Sequence, residues 1–342
     1  MQLAPRVVDA WRARGPLASS LWPLSLLYGS LVDVRRAMYR LGWLSSWQSP
    51  VPVIVVGNRV AGGAGKTPTT IALLRELQAA GRRPGVVSRG YGRLDTALRE
   101  VDSNASPSEV GDEPLLIQLR SRAPVVVAAD RVAAAQALLQ RHPQVDVIVC
   151  DDGLQHLRLR RDVELVVFDE RGAGNGWLLP AGPLREPLNT PPAARHAFTL
   201  YNAPAPSTAL PGSLARRCIA GLVPLAQWWR GEPADAQALD ALRGKPVVAC
   251  AALAHPQRFF GMLRALGLEV IPLTLPDHDA YAGLPWTSEA RDVVVTEKDA
   301  VKLDPQRLAH ERPASRVWVA PLDFHLPADL VREILAALDT TR

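Results

Sequence analysis

The chain predicts an α/β fold with two lobes. A P-loop NTPase-like lobe carries a parallel sheet, a smaller α/β lobe follows it, and a membrane-surface helix precedes both. Three observations predict this. Apolar strand-like runs alternate with helical stretches along most of the 342 residues, the pattern of parallel sheets covered by helices. A glycine-rich loop ending in Lys66-Thr67 directly follows Val53-Ile54-Val55-Val56. The third is an apolar amino-terminal stretch flanked by arginines and tryptophans.

That stretch, residues 16–34, is interrupted by Pro23, several serines and Asp33. A spanning helix needs ~20 predominantly apolar residues, so the expectation is a helix lying on the surface. Leu17, Leu21, Leu24, Tyr28 and Leu31 share one helical face. Trp11, Trp22, Trp43 and Trp47 favour an interface, and Arg6, Arg12, Arg14, Arg35, Arg36 and Arg40 favour anionic headgroups. A helix packed on its own domain is the alternative. No small-residue cleavage site follows, which speaks against a removable signal peptide.

Strands are expected at 53–56, 85–88, 124–128, 146–150 and 163–168, with helices at 67–80, 113–121 and 130–141. Residues 172–215, rich in Pro, Ala and Gly, read as loops, edge strands and a connection. Strands at 246–251, 268–274, 292–296 and 315–320 follow, with helices at 256–267 and 327–339. The expected division is 1–48 for the interfacial segment, 49–215 for the P-loop lobe and 216–342 for the smaller lobe. A ligand cleft is expected between two such lobes.

Composition bounds the function. Hydrophobic residues make up 48% and charged residues 21%, so the chain is globular. Cys150, Cys218 and Cys250 are far apart, which suits a reducing compartment and gives neither a disulfide framework nor a zinc site. A net charge of +5 spread along the chain makes nucleic acid a poor partner. It suits an anionic membrane or a phosphorylated substrate. A monomer is expected.

The chemistry begins at Gly62-Gly63-Ala64-Gly65-Lys66-Thr67. A strand turning through glycines into a helix presents main-chain N–H groups and the positive end of the helix dipole to polyphosphate. Lys66 reaches the outer phosphates and the Thr67 hydroxyl suits Mg²⁺. Val60 stands where the usual P-loop has its first glycine, and Gly57 lies earlier. Val145 to Cys150 leads into Asp151-Asp152-Gly153, placed like a Walker-B pair that orients Mg²⁺ or its waters; an Asp-Gly turn is the simpler alternative. His156 lies within reach of that loop. Asp112, in Gly111-Asp112-Glu113-Pro114, is either a helix cap or a base toward a hydroxyl. In Ser88-Arg89-Gly90-Tyr91-Gly92, Tyr91 suits stacking and Arg89 suits phosphate.

These segments together resemble the tetraacyldisaccharide 4'-kinase family of lipid A biosynthesis. The matching stretches are Val56-Gly57-Asn58 with Gly62 to Pro68, Ser88 to Gly92, Gly111 to Pro114, Asp151 to His156 and Pro180-Ala181-Gly182-Pro183-Leu184-Arg185-Glu186. Arg258-Phe259-Phe260, Asp277-His278 and Thr296-Glu297-Lys298-Asp299-Ala300-Val301-Lys302 complete the ordered set. Gly57 belongs to this family's own P-loop. The resemblance implies an ATP- and Mg²⁺-dependent kinase acting on an acylated glucosamine disaccharide 1-phosphate at the cytoplasmic face of the inner membrane. It implies that Gly57, Asn58, Gly62, Gly63, Ala64, Gly65, Lys66, Thr67 and Pro68 bind the nucleotide. Asp112 becomes the base and His278 its partner, while Thr67, Asp151, Asp152 and Glu113 form the metal region. Tyr91, Arg89, His156, Arg185 and Glu186 fall on the substrate side. Two departures stand out: Ala252-Leu253-Ala254-His255-Pro256 lacks the family's asparagine motif, and Asp279 replaces a frequent histidine.

Two other classes share the P-loop. A soluble nucleotide-dependent ligase leaves the amino terminus unexplained. A GTPase switch requires Asn-Lys-x-Asp, and Thr296-Glu297-Lys298-Asp299 lacks that asparagine.

Overall fold

Runs of valine and isoleucine without polar alternation require a sheet buried on both faces, and the first sheet has that character. The structure, a computed structural model, describes residues 5–340. Residues 1–4 and 341–342, the outer ends of the expected segments 1–48 and 216–342, lie outside the described residues.

Two compact units are present, each discontinuous in sequence. The first comprises Met1–Arg89, Ala128–Arg216 and His325–Arg342; the second comprises Gly90–Val127 and Arg217–Phe324. This differs from the continuous division expected. The segment 90–127 groups with the later residues because helix Asp112–Ser121 is tied to helix Glu297–Ala300 by the Arg120–Glu297 and Lys298–Glu113 ion pairs.

In the first unit six parallel strands run in the order Pro84–Ser88, Val147–Asp151, Val53–Gly57, Val163–Asp169, His196–Asn202 and Ser213–Leu214. The first four of these are buried throughout. Helices Lys66–Ala79, Arg131–Arg141 and Ala328–Asp339 pack on this sheet. Leu73, Leu74 and Leu77 of the first are fully buried, each contributing about 1.5–3 kcal/mol. The strand His196–Asn202 falls inside the stretch read as connection, and it pairs on both sides.

The second unit holds a five-stranded sheet in the order Val223–Pro224, Arg316–Ala320, Asp292–Thr296, Pro246–Ala251 and Glu269–Thr274. Its pairs are parallel except for the first. Its core gathers Val247, Ala249, Ala251, Phe259, Phe260, Leu263 and Val294. A short antiparallel pair, Arg99–Glu100 with Val125–Val127, belongs to the same unit.

The amino-terminal helix is continuous over Pro16–Arg40, through Pro23. By length and composition it is long and apolar enough to cross a membrane, which the interrupted sequence did not suggest. Its packing face is made of small residues: Ala18, Ser25 and Gly29 are buried, and a Cβ on Gly29 would come within 2.8 Å of Leu178. Ser25 Oγ donates to the Leu178 carbonyl at 2.8 Å and Tyr28 Oη to the Arg185 carbonyl at 2.9 Å. The leucines face outward instead: Leu24, Leu26, Leu27 and Leu31 are between 52% and 61% exposed.

Candidate active site

Strand register positions the first half of the site. Val56 lies opposite Asp151 on adjacent parallel strands, so the P-loop and the acidic pair emerge at the same sheet edge. Gly65 enters the helix with φ +87° in the left-handed region, and a Cβ there would overlap the Asn202 amide. Only glycine fits without strain. Asn58, fully buried, donates through Nδ2 to the Gly62 carbonyl at 3.0 Å and accepts from Lys66 Nζ at 3.4 Å. Arg171 and Asn202 donate to the carbonyls of Gly63 and Ala64 at 2.7 and 3.4 Å. These carbonyl contacts hold the loop from outside.

Lys66 Nζ lies 3.6 Å from Asp152 Oδ1, and Arg185 Nη1 lies 3.3 Å from the same oxygen. Burial alone would raise the Asp152 carboxyl; Lys66, Arg185 and Arg131 outweigh it and hold it below the usual carboxylate range. Asp151 is almost fully buried and accepts from Thr70 Oγ1 at 3.0 Å and Ser88 Oγ at 3.5 Å. The two aspartates therefore differ: Asp151 braces the sheet edge and Asp152 stands at its mouth. Thr67 sits in the first turn of the helix, and Gly63 has open space where a Cβ would be. Hard oxygen donors beside an ammonium and a glycine loop fit a magnesium polyphosphate.

The second unit builds a different cluster. Gly111, at φ +93°, bends the chain into helix Asp112–Ser121, and its Cα faces the backbone of Gly90 and Tyr91 too closely for a side chain to fit easily. Asp112 is 6% exposed. Its Oδ1 accepts from the N–H of the next residue, Glu113, at 3.0 Å, but Gly111 occupies the cap position and the helix has no side-chain cap bond. The other oxygen, Oδ2, lies 3.0 Å from His278 Nδ1, 3.7 Å from Lys302 Nζ and 4.0 Å from Lys298 Nζ. Burial pushes the Asp112 carboxyl up, but the His278 hydrogen bond and the Lys298 and Lys302 charges prevail and lower it to about 2. His278 has φ +63°, a conformation that costs a non-glycine residue of order 1 kcal/mol and recurs at functional positions. Tyr91, 58% exposed, packs beside it at a tilt of 59°, with ring centroids 5.4 Å apart.

The remaining expected residues fall in several places. Arg185 joins the Asp152 site. Glu186 is only 3% exposed and lies between Arg36, at 2.9 Å, and Arg59, at 3.6 Å. That arrangement ties the amino-terminal helix to the P-loop segment. Glu113 belongs to the second unit and has its carboxylate on Lys298 at 3.1 Å. His156 sits 3.6 Å from Asp130, and burial with neighbouring Arg131 lowers its ring to about 4. Arg89 is exposed. Sequence reasoning missed Thr70, Arg171 and Asn202, which have no motif spacing of their own. It quoted Ser88, Lys298 and Lys302 in motifs without giving them a role.

Comparison with known proteins identifies the family. The sequence model described as tetraacyldisaccharide-1-P 4'-kinase (LpxK) matches residues 17–339. A relative from Leptothrix cholodnii, named tetraacyldisaccharide 4'-kinase, is 59% identical over 100% of this chain and 98% of its own. One of the same name from Methylibium petroleiphilum is 59% identical over 98% of this chain and 92% of its own. The crystal structure of LpxK from Aquifex aeolicus in complex with ATP superposes with a TM-score of 0.77 at 27% identity, covering 94% of this chain and 99% of that one. The chain belongs to the tetraacyldisaccharide-1-P 4'-kinase family.

Proposed function

We propose that this protein transfers the γ-phosphoryl group of ATP to the 4'-hydroxyl of a tetraacyldisaccharide 1-phosphate, forming the bis-phosphorylated lipid A precursor (lipid IVA). The observation that carries this reading is the Gly62–Thr67 loop with Lys66 beside Asp152 at the parallel-sheet edge.

In this reading main-chain amides of residues 62–67 and the Lys66 ammonium hold the triphosphate. Thr67 and Asp152 would hold magnesium with Asp151 behind them. The ion supplies charge neutralisation on the β- and γ-phosphates. Glu113, expected in the same set, is instead paired with Lys298. The 4'-oxygen forms a bond to the γ-phosphorus, the bond to the bridging oxygen breaks, ADP leaves and the hydroxyl proton passes to Asp112. A carboxylate lowered to about 2 is anionic at every physiological pH but weakly basic. Its task is to orient the hydroxyl and accept the proton late, which suits a loose phosphoryl-transfer transition state. His278 holds that carboxylate in place. Tyr91 takes the sugar and Arg185 a phosphate, with Arg89 as a further exposed cation; His156 and Glu186, held by Asp130 and by Arg36 and Arg59, act behind them.

The outward leucines of helix Pro16–Arg40 and the arginines that flank its apolar stretch support association with an anionic bilayer. We place the protein at the cytoplasmic face of the inner membrane, where ATP and reduced thiols coexist. The test is transfer of labelled γ-phosphate from ATP to purified tetraacyldisaccharide 1-phosphate. Labelled lipid from the wild type supports the reading; ATP hydrolysis without labelled lipid contradicts it.

A further inference from the structure

Lys298 is the second residue of the short helix Glu297–Ala300, whose entry is capped by Thr296. Its neighbour Glu297 is buried and anchored: Trp228 Nε1 and the Leu322 N–H each donate to it at 3.1 Å, and Arg120 pairs with it. This anchoring directs the Lys298 ammonium between Glu113 Oε1, at 3.1 Å, and His278 Nε2, at 3.2 Å. Burial works against the Lys298 charge, but Glu113, Asp112 and Asp277 more than restore it and raise its proton affinity.

An ammonium has three donors and no acceptor. His278 Nε2 must therefore offer a lone pair to it, and the ring proton must sit on Nδ1, facing Asp112 Oδ2 at 3.0 Å. The remaining acidic group near the ring, Asp277, lies 3.9 Å from Nε2, too far to hold a proton there by a hydrogen bond. We infer that Lys298 is a positioning residue for phosphoryl transfer: it locks His278 as a neutral Nδ1–H donor that orients Asp112. This rests on the kinase reading above. It also assigns His278 a narrower task than a relay, because a nitrogen already carrying a proton cannot take one from Asp112.

The test is ¹⁵N imidazole NMR of the full-length protein at pH 7.5, with His278 identified by its absence in His278→Gln, alongside steady-state kinetics. The expected wild-type spectrum shows protonated Nδ1 and unprotonated Nε2. Lys298→Arg, also a pure donor, keeps that tautomer and most of the turnover. Lys298→Met loses the tautomer preference and lowers kcat by about 10²-fold, with KM for ATP within about threefold. A purely structural lysine would not produce that split or its rescue by arginine. An Nε2–H tautomer or an imidazolium in the wild type overturns the inference, and so does full turnover in Lys298→Met. The wild-type spectrum decides the matter even if Lys298→Met fails to fold. Wild-type protein with the Nδ1–H tautomer but no phosphoryl transfer would overturn the kinase reading and leave the hydrogen-bond assignment standing.

Discussion

The phosphate socket and the Asp112 cluster are two solutions to holding charge in place. In the socket the groups proposed to hold phosphate lie on consecutive residues 62–67, and main-chain geometry aims them. Around Asp112 they are side chains from distant segments: His278 is 166 residues away in sequence and Lys298 a further 20. A loop of that kind is specified locally by its glycines and the strand before it. The cluster exists only once helix Asp112–Ser121 and helix Glu297–Ala300 have packed. Damage to the socket should therefore fall on nucleotide affinity, whereas damage to the cluster should fall on turnover.

The largest expected effect on the socket side comes from Lys66→Ala, which removes the ammonium. We expect kcat/KM to fall by about 10³-fold, with weaker Mg-ATP binding measured by calorimetry. Gly65→Ala comes next. A left-handed residue with a Cβ costs roughly 1–2 kcal/mol and would displace Asn202, so ATP affinity should drop at least about tenfold. Gly63→Ala, with nothing near its Cβ, should leave the melting temperature unchanged; equal destabilisation by both substitutions would break the claim that loop geometry is local.

Membrane binding supplies a third contrast, outside both sites. Leu27→Glu with Leu31→Glu should weaken sedimentation with anionic vesicles by about tenfold or more, while turnover on detergent-dispersed lipid stays near wild type. Loss of folding in this pair would mean the exposed leucines serve the fold.

A fourth contrast concerns pH. His156 titrates near 6.5 when unfolded and at about 4 in the folded protein. Its folded value is depressed, so the associated stability is present above about 6.5 and lost as pH falls to about 4. The linkage amounts to roughly 3 kcal/mol. Urea unfolding of His156→Gln should show a shallower loss over that window than wild type. Parallel curves would remove this residue from the acid response.

This contrast also explains what could be read in advance. The strands and helices flanking the P-loop match expectation to within a residue or so, since apolar runs and Gly65-Lys66-Thr67 act over short range. The strand His196–Asn202 was legible only as an unplaced edge strand among loops, because its pairing depends on Val163–Asp169 on one side and Ser213–Leu214 on the other. On helix Pro16–Arg40 the leucines expected on the outer, membrane-facing side are exposed, but the face that packs on the domain, Ala18, Ser25 and Gly29, gave no signal. Close backbone approach favours small residues, which leave no hydrophobic signal. Glu186 read as a substrate contact because nothing local announces its partners Arg36 and Arg59. The role of Lys298 was illegible for the same reason: its meaning comes from a ring nitrogen supplied by a separate segment.

The division of labour between the two regions is the central claim, and Asp112→Asn tests it most directly. Mg-ATP affinity by calorimetry and turnover on tetraacyldisaccharide 1-phosphate should be measured on the same preparation. The account predicts a loss of about 10²–10⁴-fold in kcat with Kd for Mg-ATP within about threefold of wild type. Equal losses in both, or undiminished turnover, would show that Asp112 serves only the structure of the helix start.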